Sequence, residues 1–330
     1  MRVVALAFGC VLVLGGAGAG WLYWHLDHNI RSVDIDGALG DDRPARPAAT
    51  ASPSAVPSAA PVDTGVLNLL VLGSDSRTGK ENKALGGGDS GGARSDTAMV
   101  VHLDAGRTGA TVVSIPRDTL VERPACPTRS GGTTAVAYGV MFNSAYSVGG
   151  PVCAVKTVEH LTGVRMDHYL EVDFTGFADI VDALGGVDVT TPVAIDDDRS
   201  HLDLTAGEHH LDGKQALAFA RTRYGIGGSD LDRIKLQQQL VKALLDKVST
   251  EGLLTDPARL YRTADAATKS LTADTGLDSL TELTGLARSL GGLSADAVRT
   301  VMMPVVPAPS DGNRVVPDEP EATQLWKSLR

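Results

Sequence analysis

Short apolar runs recur along the chain from residue 65 onward, separated by Gly, Pro and charged residues. VLNLLVLG (Val66 to Gly73) closes on Gly and predicts a buried strand. TAMVVHL (Thr97 to Leu103) and ATVVSI (Ala110 to Ile115) predict two more, divided by a turn containing Gly106. HYLEVDF (His168 to Phe174) predicts a strand running into a helix through Ile180 to Leu184, which stops at the C-cap pair Gly185-Gly186. GVDVTTP predicts a strand ended by Pro192, and VRTVMMPV near Val301 a late one. Helices are predicted over Gly213 to Arg221, Leu231 to Val248, Pro257 to Leu271 and Asp278 to Leu290. Strands alternating with helices define an α/β fold, a mixed central sheet flanked by helices on both faces.

The N-terminus has a different pattern. Val3 to Trp24, VVALAFGCVLVLGGAGAGWLYW, carries no charge. Its length of about 22 residues reaches about 33 Å, against a bilayer core of about 30 Å. Arg2 precedes it, and Trp21, Tyr23 and Trp24 close it. Basic residues favour the cytoplasmic side and amphipathic rings the interface. The expectation is one transmembrane helix in the cell membrane, N-terminus cytoplasmic, with the rest extracellular. A cleaved signal peptide is the alternative, because Ala17-Gly18-Ala19 resembles a cleavage site. Within the span, Cys10 is expected as an inert apolar residue; the alternative is a lipoprotein box, which Ala7-Phe8-Gly9-Cys10 fits badly. The stretch RPARPAATASPSAVPSAAP that follows has no apolar period and reads as a semi-extended spacer. The expected organisation is an anchor over 1–26, a Pro/Ala/Ser-rich linker over 27–64 and a catalytic domain over 65–330.

Composition narrows the function classes. Against 30 Lys and Arg stand 40 Asp and Glu, a net charge of −10. Without a long basic run, such a chain is a poor general binder of nucleic acid. Hydrophobic residues are 43% and charged ones 21%, which excludes a wholly disordered chain. Aromatics are only 4%, so Leu, Val and Ala must fill the core. Three Cys exclude a dense disulfide scaffold or a Cys-rich zinc domain. Cys126 and Cys153 both fall in the exported part, where oxidation is permitted. A disulfide between them is expected, with two separate buried thiols as the alternative.

Charged residues then form islands where strands or loops end. They are Asp75 with Arg77, Arg94 with Asp96, Arg117 with Asp118, and Arg221 and Arg223 followed by Asp230, Asp232 and Arg233. Singly, an Arg–Asp pair is an ordinary salt bridge. Converging, several Arg would repel one another unless a polyanion lay between them, and Arg is the residue for forked contacts to phosphate oxygens. Two carboxylates among them suit Mg²⁺, which takes one or two carboxylates plus phosphate oxygens. The set therefore points to a pyrophosphate with a metal. GKENKALGGGDSGG (Gly79 to Gly92) cannot pack a core and is expected as a loop, either plain surface or close to the substrate entrance.

The chain resembles the LytR-CpsA-Psr family of cell-wall glycopolymer ligases. The resemblance rests on NLLVLGSDSR, RSDTAMVVHLD, VVSIPRD, FNSAYSVGGP, YLEVDFTGFADIVDALGGVDV, LDGKQALAFARTRY and DLDRIKLQQQ, in that order. It implies a transferase that takes a phosphate-linked glycopolymer (teichoic acid, capsule or arabinogalactan) from a polyprenyl-pyrophosphate carrier. The acceptor it implies is a peptidoglycan hydroxyl, the 6-position of muramic acid, and polyprenyl phosphate is released. It implies an apolar lipid tunnel between the sheet and its helices, and Mg²⁺, or Mn²⁺ in its place. By match of motif, Asp75 and Asp96 are the metal-site carboxylates and, with Arg94, the catalytic core. Arg77, Arg94, Arg117, Arg221, Arg223, Arg233 and Gln237 are the pyrophosphate-binding set. Leu236 stands where the family often has a basic residue, and Asp232 where it commonly has Gly. The rival functions are a pyrophosphatase acting on the same lipid-linked substrate and a non-enzymatic envelope regulator.

Other polar groups read as ordinary structure. Asp196-Asp197-Asp198 is expected as a solvated acidic turn, and His209-His210 as a turn before the Gly213 helix. Asn143 and Tyr146 either line the acceptor groove or pack a loop.

Overall fold

The computed structural model describes residues 20–46, 65–74, 95–128, 131–222, 230–250 and 256–330. A helical stretch α1 (20–27) leads into strand β1 (Arg31–Val33) and helix α2 (Ile35–Leu39). Strands β2 (Leu67–Ser74), β3 (Ser95–Leu103) and β4 (Ala110–Ile115) form an antiparallel meander. After β5 (Leu120–Arg123) and β6 (Ala137–Met141) comes the long helix α3 (Asn143–Thr162). Then follow β7 (His168–Asp173), α4 (Phe174–Ala183), β8 (Val187–Thr191), β9 (Ile195–Asp197), β10 (Leu202–Leu204) and β11 (Gly207–Leu211). The rest is α5 (Gly213–Arg221), α6 (Asp230–Thr250), α7 (Pro257–Ser270), β12 (Leu271–Asp274), α8 (Leu280–Ser289), β13 (Val298–Met302), β14 (Val305–Ala308), β15 (Asp311–Pro317) and α9 (Glu321–Lys327).

Seven strands make the central sheet in the order β1-β12-β7-β2-β3-β4-β13. It is mixed: β1–β12, β7–β2 and β4–β13 are parallel and the other neighbours antiparallel. The expected strands and helices are present, with the sheet covered on both faces. Alternation along the strands sorts their side chains. Leu70, Leu72, Val100, Val113 and Ile115 pack with Val155 and Val158 of α3 and Trp326 of α9. Leu69, Leu103 and Val112 point the other way, with Met99, Val101 and Leu170 only partly buried beside Leu245 of α6 and Leu286 of α8. None of the residues of α8 is buried. GVDVTTP is a strand, but it pairs with β11 outside the central sheet and packs with α4, α5 and α6 in a separate apolar cluster.

Two expectations need correction. The linker expected from residue 27 is structured through residue 46. β1 adds a parallel edge strand to β12, and Ile35 and Leu39 enter the main core. Arg43, its side chain 1% exposed, forms an ion pair of 2.6 Å with the equally buried Glu159. The Pro- and Ala-rich composition overlaps only the end of this strap, from Pro44. Second, the stretch FNSAYSVGG, read as a loop, opens α3. Gly149-Gly150-Pro151 signals a break, and α3 is indeed kinked at Gly150 (φ 66°), but packing carries it onward. A Cβ at Gly149 would stand 2.4 Å from the carbonyl oxygen of Pro127. Only glycine permits that approach, which brings Cys126 to Cys153.

Those two cysteines form a disulfide with a Cα–Cα distance of 5.2 Å and a sequence separation of 27. Closing such a loop stabilises by about 3–4 kcal/mol on the chain-entropy account. Among the described residues no helix is long and apolar enough to cross a membrane. The expected span lies outside them as far as residue 19. Its last residues open α1, which docks on α7 and α8: His25 Nε2 lies 3.2 Å from Asp265 Oδ1, the Tyr23 hydroxyl lies 2.8 Å from Thr281 Oγ1, and Asp27 accepts the Leu280 N–H at 2.8 Å.

Candidate functional site

The ends of β2 and β3 start the site. Ser74 pairs with Ser95 across a register shift, and Gly73 lies opposite Thr97. A Cβ on Gly73 would approach Thr97 Cβ to 3.2 Å, so glycine permits this close strand contact. Ser74 is fully buried, and its hydroxyl has no hydrogen-bond partner among the described residues.

The turn after β4 presents Arg117. Thr119, fully buried, folds back on Pro116 O through both N–H (3.0 Å) and Oγ1 (2.6 Å). The start of α3 clamps the same turn: Asn143 N–H donates to Arg117 O and Phe142 N–H to Thr119 O. Asn143 and Tyr146 are therefore packing residues. Both are 5% exposed, and the Tyr146 hydroxyl donates to Glu171 Oε1.

Asp212 and Gln215 make a capping box that fixes the start of α5, which delivers Arg221 in its last turn. The Arg221 guanidinium lies 5.1 Å from the centre of the Phe174 ring, a cation–π distance. Thr222 ends α5 with extended backbone (φ −58°, ψ 134°) and is fully buried. Its Oγ1 donates to Ala218 O and meets Ser200 Oγ at 2.9 Å.

Arg233 and Gln237 are four residues apart on α6 and so share a face. Arg233 is 4% exposed. The Gln237 amide bridges two elements, donating to Thr97 Oγ1 at 3.0 Å and to Ala220 O at 2.9 Å. Leu236 packs into the apolar cluster, so its departure from the family pattern is absorbed by packing.

Thr97, Arg117, Phe174, Arg221, Arg233 and Gln237 line one open cleft of about 780 Å³, its mouth included. The structure thus brings together Arg117, Arg221, Arg233 and Gln237. Asp75, Arg77, Arg94 and Arg223 lie outside the described residues, and of Asp96 only the backbone, in β3, is described. The cleft also holds two residues that the sequence did not single out as ligands, Asp197 and Arg199. The acidic triplet is not a uniformly solvated turn: in β9, Asp196 is exposed but Asp197 is buried like Ile195. Asp197 Oδ1 accepts the N–H groups of Arg199 and Ser200. The period-two alternation from Ile195 was the available signal. His209 and His210 lie in β11; His210 pairs with Asp188 at 2.6 Å. Among the described residues no cluster of three His, Cys, Asp or Glu is placed to hold a metal.

Four guanidinium side chains and one carboxylate line this cleft, so it favours an anion with several oxygens. A second cleft, between β8 and α6, mixes Lys242 and Lys247 with Asp188 and Asp246 and has no such bias.

Comparison with known proteins gives a consistent result. A family model described as the LytR_cpsA_psr family matches residues 22–330. The chain is 36% identical over 283 residues to a Corynebacterium glutamicum protein named "Probable cell wall biosynthesis protein LcpB", covering 84% of this chain and 64% of that protein. It is 35% identical over 183 residues to the polyisoprenyl-teichoic acid–peptidoglycan teichoic acid transferase TagV of Bacillus subtilis, covering 54% of this chain and 44% of that one. The matches thus span about half to just under two thirds of these curated relatives. The crystal structure of B. subtilis TagV superposes with a TM-score of 0.61 at 28% identity, covering 81% of this chain and 96% of that one. A structure of TagT bound to LI-WTA superposes with a TM-score of 0.59 at 26% identity, covering 83% and 93%.

Proposed function

The chain belongs to the LytR_cpsA_psr family, and from that premise we propose that it transfers a phosphate-linked glycopolymer from a polyprenyl-pyrophosphate carrier to a peptidoglycan hydroxyl. The observation that carries this reading is the cleft where Arg117 of the turn after β4, Arg221 at the end of α5, and Arg233 and Gln237 near the start of α6 meet. Arg221 and Arg233 present forked donors to the phosphate oxygens, and Phe174 steadies Arg221 from behind. Phosphoryl transfer asks mainly for positioning and for fixed positive charge where negative charge develops. The acceptor oxygen attacks the phosphorus that carries the glycan. The bond from that phosphorus to the bridging oxygen breaks, and the hydroxyl proton leaves with the polyprenyl phosphate. The pyrophosphate supplies the free energy, so no nucleotide is required.

Hard oxygen donors suit Mg²⁺ at the β2–β3 end, where the buried Ser74 hydroxyl stands without a partner among the described residues. Asp75, next in the chain after Ser74, and Asp96, next after Ser95, are the carboxylates that would hold it. When bound, the ion would neutralise charge on the pyrophosphate. The lipid would lie on the sheet face of Met99, Val101 and Leu170, which α6 and α8 leave partly uncovered. The aromatic residues of α1 and the apolar residues before it would place the domain outside the cell membrane, with its N-terminus in the cytoplasm.

The test uses a lipid-linked glycan labelled with phosphorus, purified peptidoglycan, and the full chain with Mg²⁺. Label on peptidoglycan is the expected outcome. Release of label to water would favour the pyrophosphatase, and no turnover would favour a non-enzymatic regulator.

A further inference from the structure

The carboxylate of Asp118 has two arginine neighbours. Its Oδ1 lies 3.8 Å from Arg117 Nε and 3.1 Å from Arg314 Nη1. Arg314 belongs to β15, far along the chain from this turn. β15 reaches the turn directly, because Val315 forms a parallel bridge with the buried Thr119. Asp311 Oδ2 lies 3.8 Å from Arg314 Nε and steadies it from the same strand. Asp118 is 18% exposed and Arg314 32%, so solvent screens the pair less than a surface pair.

A carboxylate next to an anion-binding arginine competes with the anion for it. Asp118 follows Arg117 directly in sequence, yet its Oδ1 sits nearer to Arg314. We propose that Arg314 is a positioning residue for the anion cleft: it draws the Asp118 carboxylate away from Arg117 and so keeps that guanidinium turned toward bound phosphate. The C-terminal hairpin β14–β15 thereby sets the strength of a contact made by the turn after β4. The proposal rests on the pyrophosphate reading of the cleft and adds to it a residue outside the cleft lining.

The experiment is calorimetric titration of the full chain, in detergent, with inorganic pyrophosphate, alongside melting temperatures. Arg314→Gln should weaken binding about threefold to fivefold, the scale of one partly shielded ion pair. Arg314→Lys should stay near the parent. Adding Asp118→Asn to Arg314→Gln removes the competing carboxylate and should restore affinity to within about twofold of the parent. A merely structural Arg314 would lower the melting temperature, and the second substitution would not restore affinity. Unchanged affinity in Arg314→Gln, or no recovery in the double variant, overturns the positioning role; parent binding that Arg117→Gln abolishes would still leave the cleft reading standing. Absence of binding by the parent, or binding indifferent to Arg117→Gln, overturns the cleft reading and this proposal with it.

Discussion

Arg221 concentrates the chemistry of the site in one side chain. It closes α5, packs over Phe174 and lines the cleft. Lys would keep the charge but lose the planar fork and much of the ring contact. Charge-assisted hydrogen bonds are worth about 1.5–3 kcal/mol each. Arg221→Lys should therefore slow transfer by about tenfold or more, equivalent to about 1.4 kcal/mol in the transition state. The melting temperature of the ligand-free protein should barely move, because Lys keeps the positive charge and an apolar stem at this partly exposed position. Transfer rate and melting temperature of the variant check both. A large loss of apo stability together with activity would mean that Arg221 serves the fold.

At the scale of elements, the site depends on how α5 meets α4. Gly213 begins α5 and donates its N–H to Asp182 of α4 at 2.7 Å. A Cβ at Gly213 would stand 2.1 Å from the carbonyl oxygen of Ala178, in the backbone of α4. Backbone cannot swing aside as a side-chain tip can, so Gly213→Ala must push the two helices apart. Overpacking of this kind costs about 1–3 kcal/mol. Because α5 carries Arg221 at its other end, the variant should lose activity as well as stability. Chemical denaturation together with the transfer assay tests this, and an Ala variant of parental stability would contradict it.

For the whole molecule, acid reaches the sheet through two buried groups. Burial pushes His102 below its ordinary value of 6.5, against the opposing pull of the Asp104 and Asp167 carboxylates. In the fold it is a neutral ring, hydrogen-bonded to Asn68 Oδ1 at 2.8 Å. The unfolded chain takes up a proton below about pH 6.5 while the folded one resists it, so stability falls as pH drops from there. Asp274 adds a second, lower window. Burial alone would raise its value, but the His168 hydrogen bond and the N–H groups of Tyr169 and Gly276 outweigh it and hold the carboxyl below 3.8. Its contribution is present above that value and is lost as pH falls below it. Denaturant midpoints from pH 8 downward should decline in two stages, and Asp274→Asn should reduce the second, which Asp42 and Asp265 share. A single decline unaffected by that substitution would contradict the assignment.

The sequence by itself determined the strands and most of the helices, and it named several of the residues that one cleft brings together. Val66 to Gly73, Thr97 to Leu103 and Ala110 to Ile115 are strands because their apolar residues satisfy a sheet locally, and Gly213 to Arg221 is a helix because Asp212 and Gln215 cap it. Arg117, Arg221 and Arg233 were legible because few other structures need so many arginines at element ends, and Gln237 was legible through the family resemblance. What the tertiary structure decided was whatever depends on partners remote in sequence. The strap of residues 31–46 looks like a continuation of the linker until β12 offers it an edge and Glu159 a buried charge to pair with. α3 passes a Gly-Gly-Pro signal because Cys126 and the main core hold it on both sides of the kink. Asp197 turns inward because its strand alternates, and Arg314 meets Asp118 because a C-terminal hairpin folds back beside Thr119. Local patterning records how a residue satisfies its neighbours along the chain; a charge that meets its partner across the fold carries no period to read.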